Sequence, residues 1–152
     1  MRTRRERPVA MADVPLLNSL LDLERRGIWA YAAGIPLLSK GQASAAKVFL
    51  GQELSHATEL AGLVREAGAK ARDPLPGYDL GRPRTPADVL GLLHRIETEQ
   101  LAAYLSAIPR LERGPVRAAA VALFANDAQH VAILRLQLGL EPVPAALVTG
   151  QE

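Results

Sequence analysis

The chain has 152 residues, 49% of them hydrophobic but only 4% aromatic, with no cysteine and a formal charge of +2. This length suits a single domain with a sizeable core, and the missing cysteine excludes disulfides, thiolate zinc sites and thiol catalysis. Four arginines and one glutamate in RTRRER (residues 2–7) carry +3 and leave about −1 for the rest, so the body is not a basic nucleic-acid surface.

Residues 1–12 read as a basic tail, which is most simply a solvated terminus. The arginines are followed by VAMADVPLLNSL, with no sustained apolar core of a secretory signal. No run approaches the ~20 apolar residues of a membrane span. A cytoplasmic protein with no membrane contact is the default expectation. Ala and Leu dominate the apolar fraction, which favours close-packed helices over a sheet.

Asp13 and Pro15 mark the start of the first helix, with proline in the first turn. Leu17, Leu20, Leu21, Ile28, Tyr31 and Ile35 then recur at helical spacing until Pro36 and Gly41 break the pattern. A second helix is predicted from about Gln42 to Ala67, stopped by Gly68. ARDPLPGYDLGRPR is an irregular connection. Thr85 and Pro86 cap and open a third helix, with Asp88 in its first turn; it continues to about Glu112. Gly114-Pro115 turns the chain into a fourth helix, ending near Leu138 before Gly139.

The predicted fold class is all-α: antiparallel hairpins over 13–70 and 85–139, a crossover at 71–84, and a surface tail at 140–152. The middle connection reaches ~50 Å if extended at ~3.3 Å per residue. A helix of ~25 residues is only ~38 Å long. The connection can therefore traverse the whole bundle, as a one-crossover four-helix bundle requires.

The two hairpins repeat their punctuation. Glu24 is followed by Tyr31, Pro36 and Gly41, and Glu97 by Tyr104, Pro109 and Gly114, at the same offsets of 7, 12 and 17. Glu53-x-x-His56 is answered by Asp127-x-x-His130 with one extra residue in the second copy, so an internal repeat is the better account. These ionisable groups fall on apolar stripes. Glu53 and His56 lie among Ala46, Phe49, Leu60 and Leu63, and Asp127 and His130 among Ala120, Leu123, Leu134 and Leu138. Glu97 shares its face with Leu93, Leu101 and Tyr104, whereas Glu99 shares one with Arg95 and Ser106, so Glu97 is the inward residue.

Four buried carboxylates carry about −4 if ionised, and no Lys or Arg shares their stripes. Protonation relieves part of that charge; two divalent cations balance all of it, with the two imidazoles as nitrogen ligands. Mixed oxygen and nitrogen donors suit iron or manganese and tolerate zinc. One Glu per hairpin plus a carboxylate-x-x-His pair is the ligand pattern of di-metal carboxylate bundles.

On these residues the chain, over about 14–139, resembles the ferritin-like superfamily, with a ligand pattern most like bacterioferritins and rubrerythrin-related di-iron bundles. The resemblance implies a ferritin-like four-helix bundle holding two iron ions. Glu24 and His56 would hold one, Glu97 and His130 the other, with Glu53 and Asp127 between them. It also implies dioxygen or peroxide as the reacting partner, in ferroxidase, oxidase or peroxidase chemistry. Asp127 departs from the usual Glu by one methylene, which bears on whether it bridges.

Bland readings compete with these. Tyr31 and Tyr104, two turns beyond Glu24 and Glu97, are more often plain core tyrosines than donors to a site. His94 reads as a rim histidine, since Leu21 stands at the matching place, and Trp29 and Arg25 lie off the inward stripe. A metal-free network of protonated carboxyls and histidines is the alternative to the six-ligand set. At the level of function, a structural or stress-protective bundle rivals the di-iron reading. A DNA-binding arm at residues 2–7 is the third, less favoured. A homo-oligomer is expected, with a dimer as default.

Overall fold

A computed structural model describes residues 9–112 and 114–152. The described residues form four long helices and no strand: α1 (Val14–Gly34), α2 (Lys40–Glu66), α3 (Pro86–Ala107) and α4 (Pro115–Gln137). This is the all-α, four-helix class that the composition and periodicity predict. The arginines of residues 2–7, with the DNA-binding role considered for them, lie outside the described residues.

Helix ends follow local chemistry. Pro36 and Pro109 sit in single 3₁₀ turns, Ile35–Leu37 and Ile108–Arg110, that close α1 and α3. The third helix thus stops at Ala107, short of the expected Glu112, because Pro109 has no N–H to offer the preceding turn. The second starts at Lys40 instead of Gln42, since Ser39 is its cap and donates its own N–H to Gln42 Oε1 at 3.0 Å. At α3, Thr85 Oγ1 accepts the Asp88 N–H at 3.1 Å and the Asp88 carboxylate accepts the Thr85 N–H at 3.0 Å, a reciprocal capping box. Asp13 stands at the start of α1 as expected, although its side chain makes no cap hydrogen bond there. Its buried carboxylate instead accepts the Glu112 N–H at 3.1 Å and ties the start of α1 to the α3–α4 turn.

The long connection runs back along the outer side of α1. Asn18 Oδ1 accepts the Arg72 N–H at 2.7 Å, Tyr78 donates its hydroxyl to Asp22 at 2.7 Å, and Trp29 meets the Tyr78 ring edge-on at 6.1 Å. Arg25 donates to the Arg72 carbonyl at 2.7 Å. Both off-stripe residues of α1 therefore hold the crossover. The connection delivers α3 antiparallel to α1, so that Gly34 at the end of α1 faces Val89 at the start of α3. A Cβ on Gly34 would lie 2.6 Å from Val89 Cγ1, so this crossing needs glycine. Each helix packs on two neighbours: α1 on α2 and α3, α4 on α3 and α2. The tail lies along α3 and α4, near Leu101, Val131 and Ala132, where Arg135 holds the Glu141 and Glu152 carbonyls at 2.7 and 2.6 Å. No helix among the described residues is long and apolar enough to cross a membrane.

The apolar interior has two parts. One gathers Leu17, Leu21, Leu60, Val64, Leu111 and Ala120 at one end of the bundle. The other gathers Ala30, Phe49, Val89, Leu93, Ile96 and Leu134 at the opposite end. Each fully buried Leu or Ile contributes ~1.5–3 kcal/mol of transfer free energy. Between these two plugs lies a polar layer.

Candidate metal centre

The polar layer takes its side chains from all four helices: Glu24 from α1, Glu53 and His56 from α2, Glu97 from α3, Asp127 and His130 from α4. The i, i+3 spacing on α2 and α4 turns each carboxylate and its imidazole to the same side. All six residues predicted as ligands come together there, none more than 5% exposed. Their atoms form two groups, Glu24–Glu53–His56–Asp127 and Glu53–Glu97–Asp127–His130, with the donor atoms of each within 4.8 Å of one another. Glu53 and Asp127 belong to both groups, and the shorter Asp127 side chain still reaches each.

The tyrosines are buried core residues, and their hydroxyls reach this layer. Tyr31 donates its hydroxyl to Glu97 Oε1 at 2.5 Å, and Tyr104 donates to Glu24 Oε1 at 2.5 Å. Each tyrosine thus serves the carboxylate of the opposite hairpin. His94 joins neither group. Glu99 points outward and pairs with Arg26, as its place on the face shared with Arg95 and Ser106 predicts.

Two further residues carry no clear signal in the sequence. Gln100 is buried on α3 and donates through Nε2 to Glu53 Oε2 at 2.9 Å and to Glu24 Oε2 at 3.2 Å. Gln52 Oε1 lies 2.7 Å from His130 Nε2. When that nitrogen carries the proton, the lone pair of Nδ1 faces the carboxylates, the tautomer a metal ligand needs. The hints are faint: a polar residue one turn beyond Glu97, and one just before Glu53. His130 is also stacked on Phe49, ring centroids 4.2 Å apart, which fixes its plane.

Crowding and burial shift the proton affinities of this layer. Burial, with Glu53 and Asp127 nearby, keeps the Glu24 carboxyl well above the usual range despite its bond to His56. Burial and the neighbouring Glu53 push Glu97 up to about 7. Burial likewise raises Asp127 to about 7, with Glu97 and Glu53 adding to it and His56 opposing. Glu53 goes the other way: burial raises it, but the facing His130 and His56 imidazoles and the Gln100 amide prevail and hold it down to about 2. Burial lowers both histidines, yet the carboxylates override it, so that His56 is pushed up to about 12 and His130 to about 9.

The residues fit a pair of cations. Glu53 Oε1, Glu97 Oε2 and both oxygens of Asp127 are buried with no hydrogen-bond partner, and an unsatisfied buried acceptor is costly. The carboxylates that carry these oxygens meet two imidazoles in the two groups, a donor set for iron or manganese that zinc also accepts.

A ferritin-like domain model matches residues 12–140 of this chain. The chain belongs to the ferritin-like domain family. No curated protein sequence matches it. Among solved structures it is similar to a conserved hypothetical protein, rv2844, from Mycobacterium tuberculosis, with a TM-score of 0.80 at 23% identity, covering 90% of this chain and 96% of that one. It is also similar to ferritin-like, diiron-carboxylate proteins from Bacillus anthracis str. Ames, with a TM-score of 0.72 at 19% identity over 83% and 94% of the two chains. The likeness carries the fold; the buried carboxylate and histidine cluster fits a di-metal site.

Gly27, one turn beyond Glu24, sets the clearance of the layer. A Cβ there would lie 2.6 Å from Glu53 Oε2 and 3.2 Å from Gln100 Nε2. Gly27→Ala gains up to ~1 kcal/mol of helix propensity but displaces the carboxylate shared by both groups. We expect undiminished helicity by circular dichroism together with a clear drop in bound metal by elemental analysis. Full metal content in this variant would mean that Glu53 tolerates displacement.

Proposed function

We propose that this protein is a di-iron oxidoreductase that reacts with dioxygen or peroxide. The observation that carries the reading is the pair of buried donor groups sharing Glu53 and Asp127. Glu24 and His56 would hold one iron, Glu97 and His130 the other, and Glu53 and Asp127 would serve both. A bound iron pair supplies one-electron steps in both directions, the chemistry that dioxygen and peroxide need. The two apolar plugs keep water from the layer. Tyr31 and Tyr104 orient the outer carboxylates through their hydroxyls, and Gln52 sets the tautomer of His130. We read the two hairpins as copies of one helix pair. The matching offsets and the reciprocal tyrosine–glutamate bonds support this.

The test is anaerobic loading with Fe(II), metal analysis, and then a pulse of oxygen. The expected result is about two irons per chain and oxygen consumption that metal-free protein lacks. Less than one metal per chain with intact helices would overturn the reading. Two bound ions without oxygen consumption would instead favour the structural, stress-protective bundle.

A further inference from the structure

The two halves of the centre differ at the position one turn beyond each outer glutamate. One turn beyond Glu97 stands Gln100, and one turn beyond Glu24 stands Gly27. The absence of a side chain at Gly27 makes room for the Gln100 amide, which reaches across and donates Nε2–H to Glu24 Oε2 and Glu53 Oε2. No equivalent donor among the described residues faces Glu97.

The consequence is unequal access to lone pairs. Both oxygens of Glu24 are engaged, Oε1 by Tyr104 and Oε2 by His56 and Gln100. Glu97 has only Oε1 engaged, by Tyr31 and His130, while its buried Oε2 has no partner. The orientation of the amide follows from chemistry: its oxygen against two carboxylate oxygens would be repelled, so Nε2 faces inward and the buried Oε1 is left without a partner. The positive end of the amide dipole therefore lies against the oxygens that a cation beside Glu24 and His56 would need. The imidazoles differ in the same sense. His130 Nε2 has Gln52 as partner, whereas Asn126, at the place matching Gln52, keeps its buried Oδ1 unpaired.

We infer that Gln100 makes the two metal positions unequal, so that the Glu97–His130 position fills first and the Glu24–His56 position fills second and more weakly. This rests on the di-metal reading above. Gln100 is a positioning residue: it acts through the carboxylates it holds.

The experiment uses Co(II) alone on the full chain, followed by calorimetry and by the visible absorption of the bound ion. Wild type is expected to bind two ions in steps separated by about ten-fold or more, as hydrogen bonds to charged groups imply. Gln100→Leu and the longer, flexible Gln100→Met remove the donor and should draw the second step toward the first. Crystals of wild-type protein given one equivalent of Co(II) should show the anomalous peak beside Glu97 and His130. That arm stands even if the variants fold poorly. A first peak beside Glu24 and His56, two equal steps in wild type, or an unchanged separation in both folded variants would overturn the inference while leaving the di-metal reading in place. No bound Co(II) in wild type would overturn both.

Discussion

Glu53→Gln is expected to reduce bound metal from about two ions per chain to less than one, while the metal-free protein still folds. Glu53 is the shared carboxylate with the lowest proton affinity in the layer, held down to about 2, against the effect of burial, by His130, His56 and Gln100. It is therefore the carboxylate that meets an arriving cation already ionised. Its Oε1 lies 3.5 Å from Nδ1 of both histidines and forms no hydrogen bond with either. An amide there keeps the volume and removes the charge, so both positions lose a ligand together. Breaking a buried charge pair from one side usually costs several kcal/mol, but here the loss is offset: removing Glu53 also relieves Glu24, Glu97 and Asp127, each of which its charge pushes upward. The metal-free melting temperature should therefore move far less than the metal content. Elemental analysis and thermal melts of one preparation check both halves. A variant that retains two ions would remove Glu53 from the centre.

The legible part of this protein is the part set by local chemistry and periodicity. Thr85, Asp88 and Pro86 mark the start of α3, and the stripes separate inward Glu97 from outward Glu99. The six ionisable groups are visible because charge on an apolar stripe is anomalous whatever it packs against. What stays hidden depends on the helix opposite. Gln100 is neutral and would be unremarked on a half-exposed face; only the approach of α1, allowed by Gly27, gives its amide two carboxylates to serve. Asp13 marks a helix start because Pro15 follows it, but only the fold shows that its carboxylate accepts the Glu112 N–H of the α3–α4 turn. Tyr31 and Tyr104 have the right offsets, yet only the pairing of the hairpins shows that each hydroxyl lands on the other hairpin's glutamate. Periodicity puts Ile28 on the inward stripe, but Gly27 and Ala30 are the buried neighbours, because α1 passes too close to the layer for a large side chain.

The metal-free protein is expected to lose stability as pH rises from about 5 to 9, and the metal-loaded protein to hold or gain. Burial and neighbouring charge raise Glu97 from 4.5 to about 7 and Asp127 from 3.8 to about 7. His130 is raised from 6.5 to about 9, its carboxylate partners outweighing burial. A group raised on folding contributes its full stability below its unfolded value and loses it as pH climbs through the folded value. The two carboxylates thus withdraw their contribution between about pH 4 and 7, and His130 between about 6.5 and 9. Glu53 has the opposite sign, but its contribution is lost only as pH falls from 4.5 toward 2, outside this window. A tenfold change in proton affinity on folding corresponds to ~1.4 kcal/mol, and these groups share their protons, so the combined decline is on the order of a few kcal/mol. Cations reverse the trend, since they occupy the same lone pairs as these protons and bind better once the protons leave. Thermal melts at pH 5.5, 7 and 8.5, with chelator and with Co(II), should show a widening gap between the two forms. Parallel curves would mean that protons and metal do not compete for this layer, and the carboxylates would then have to be satisfied in some other way.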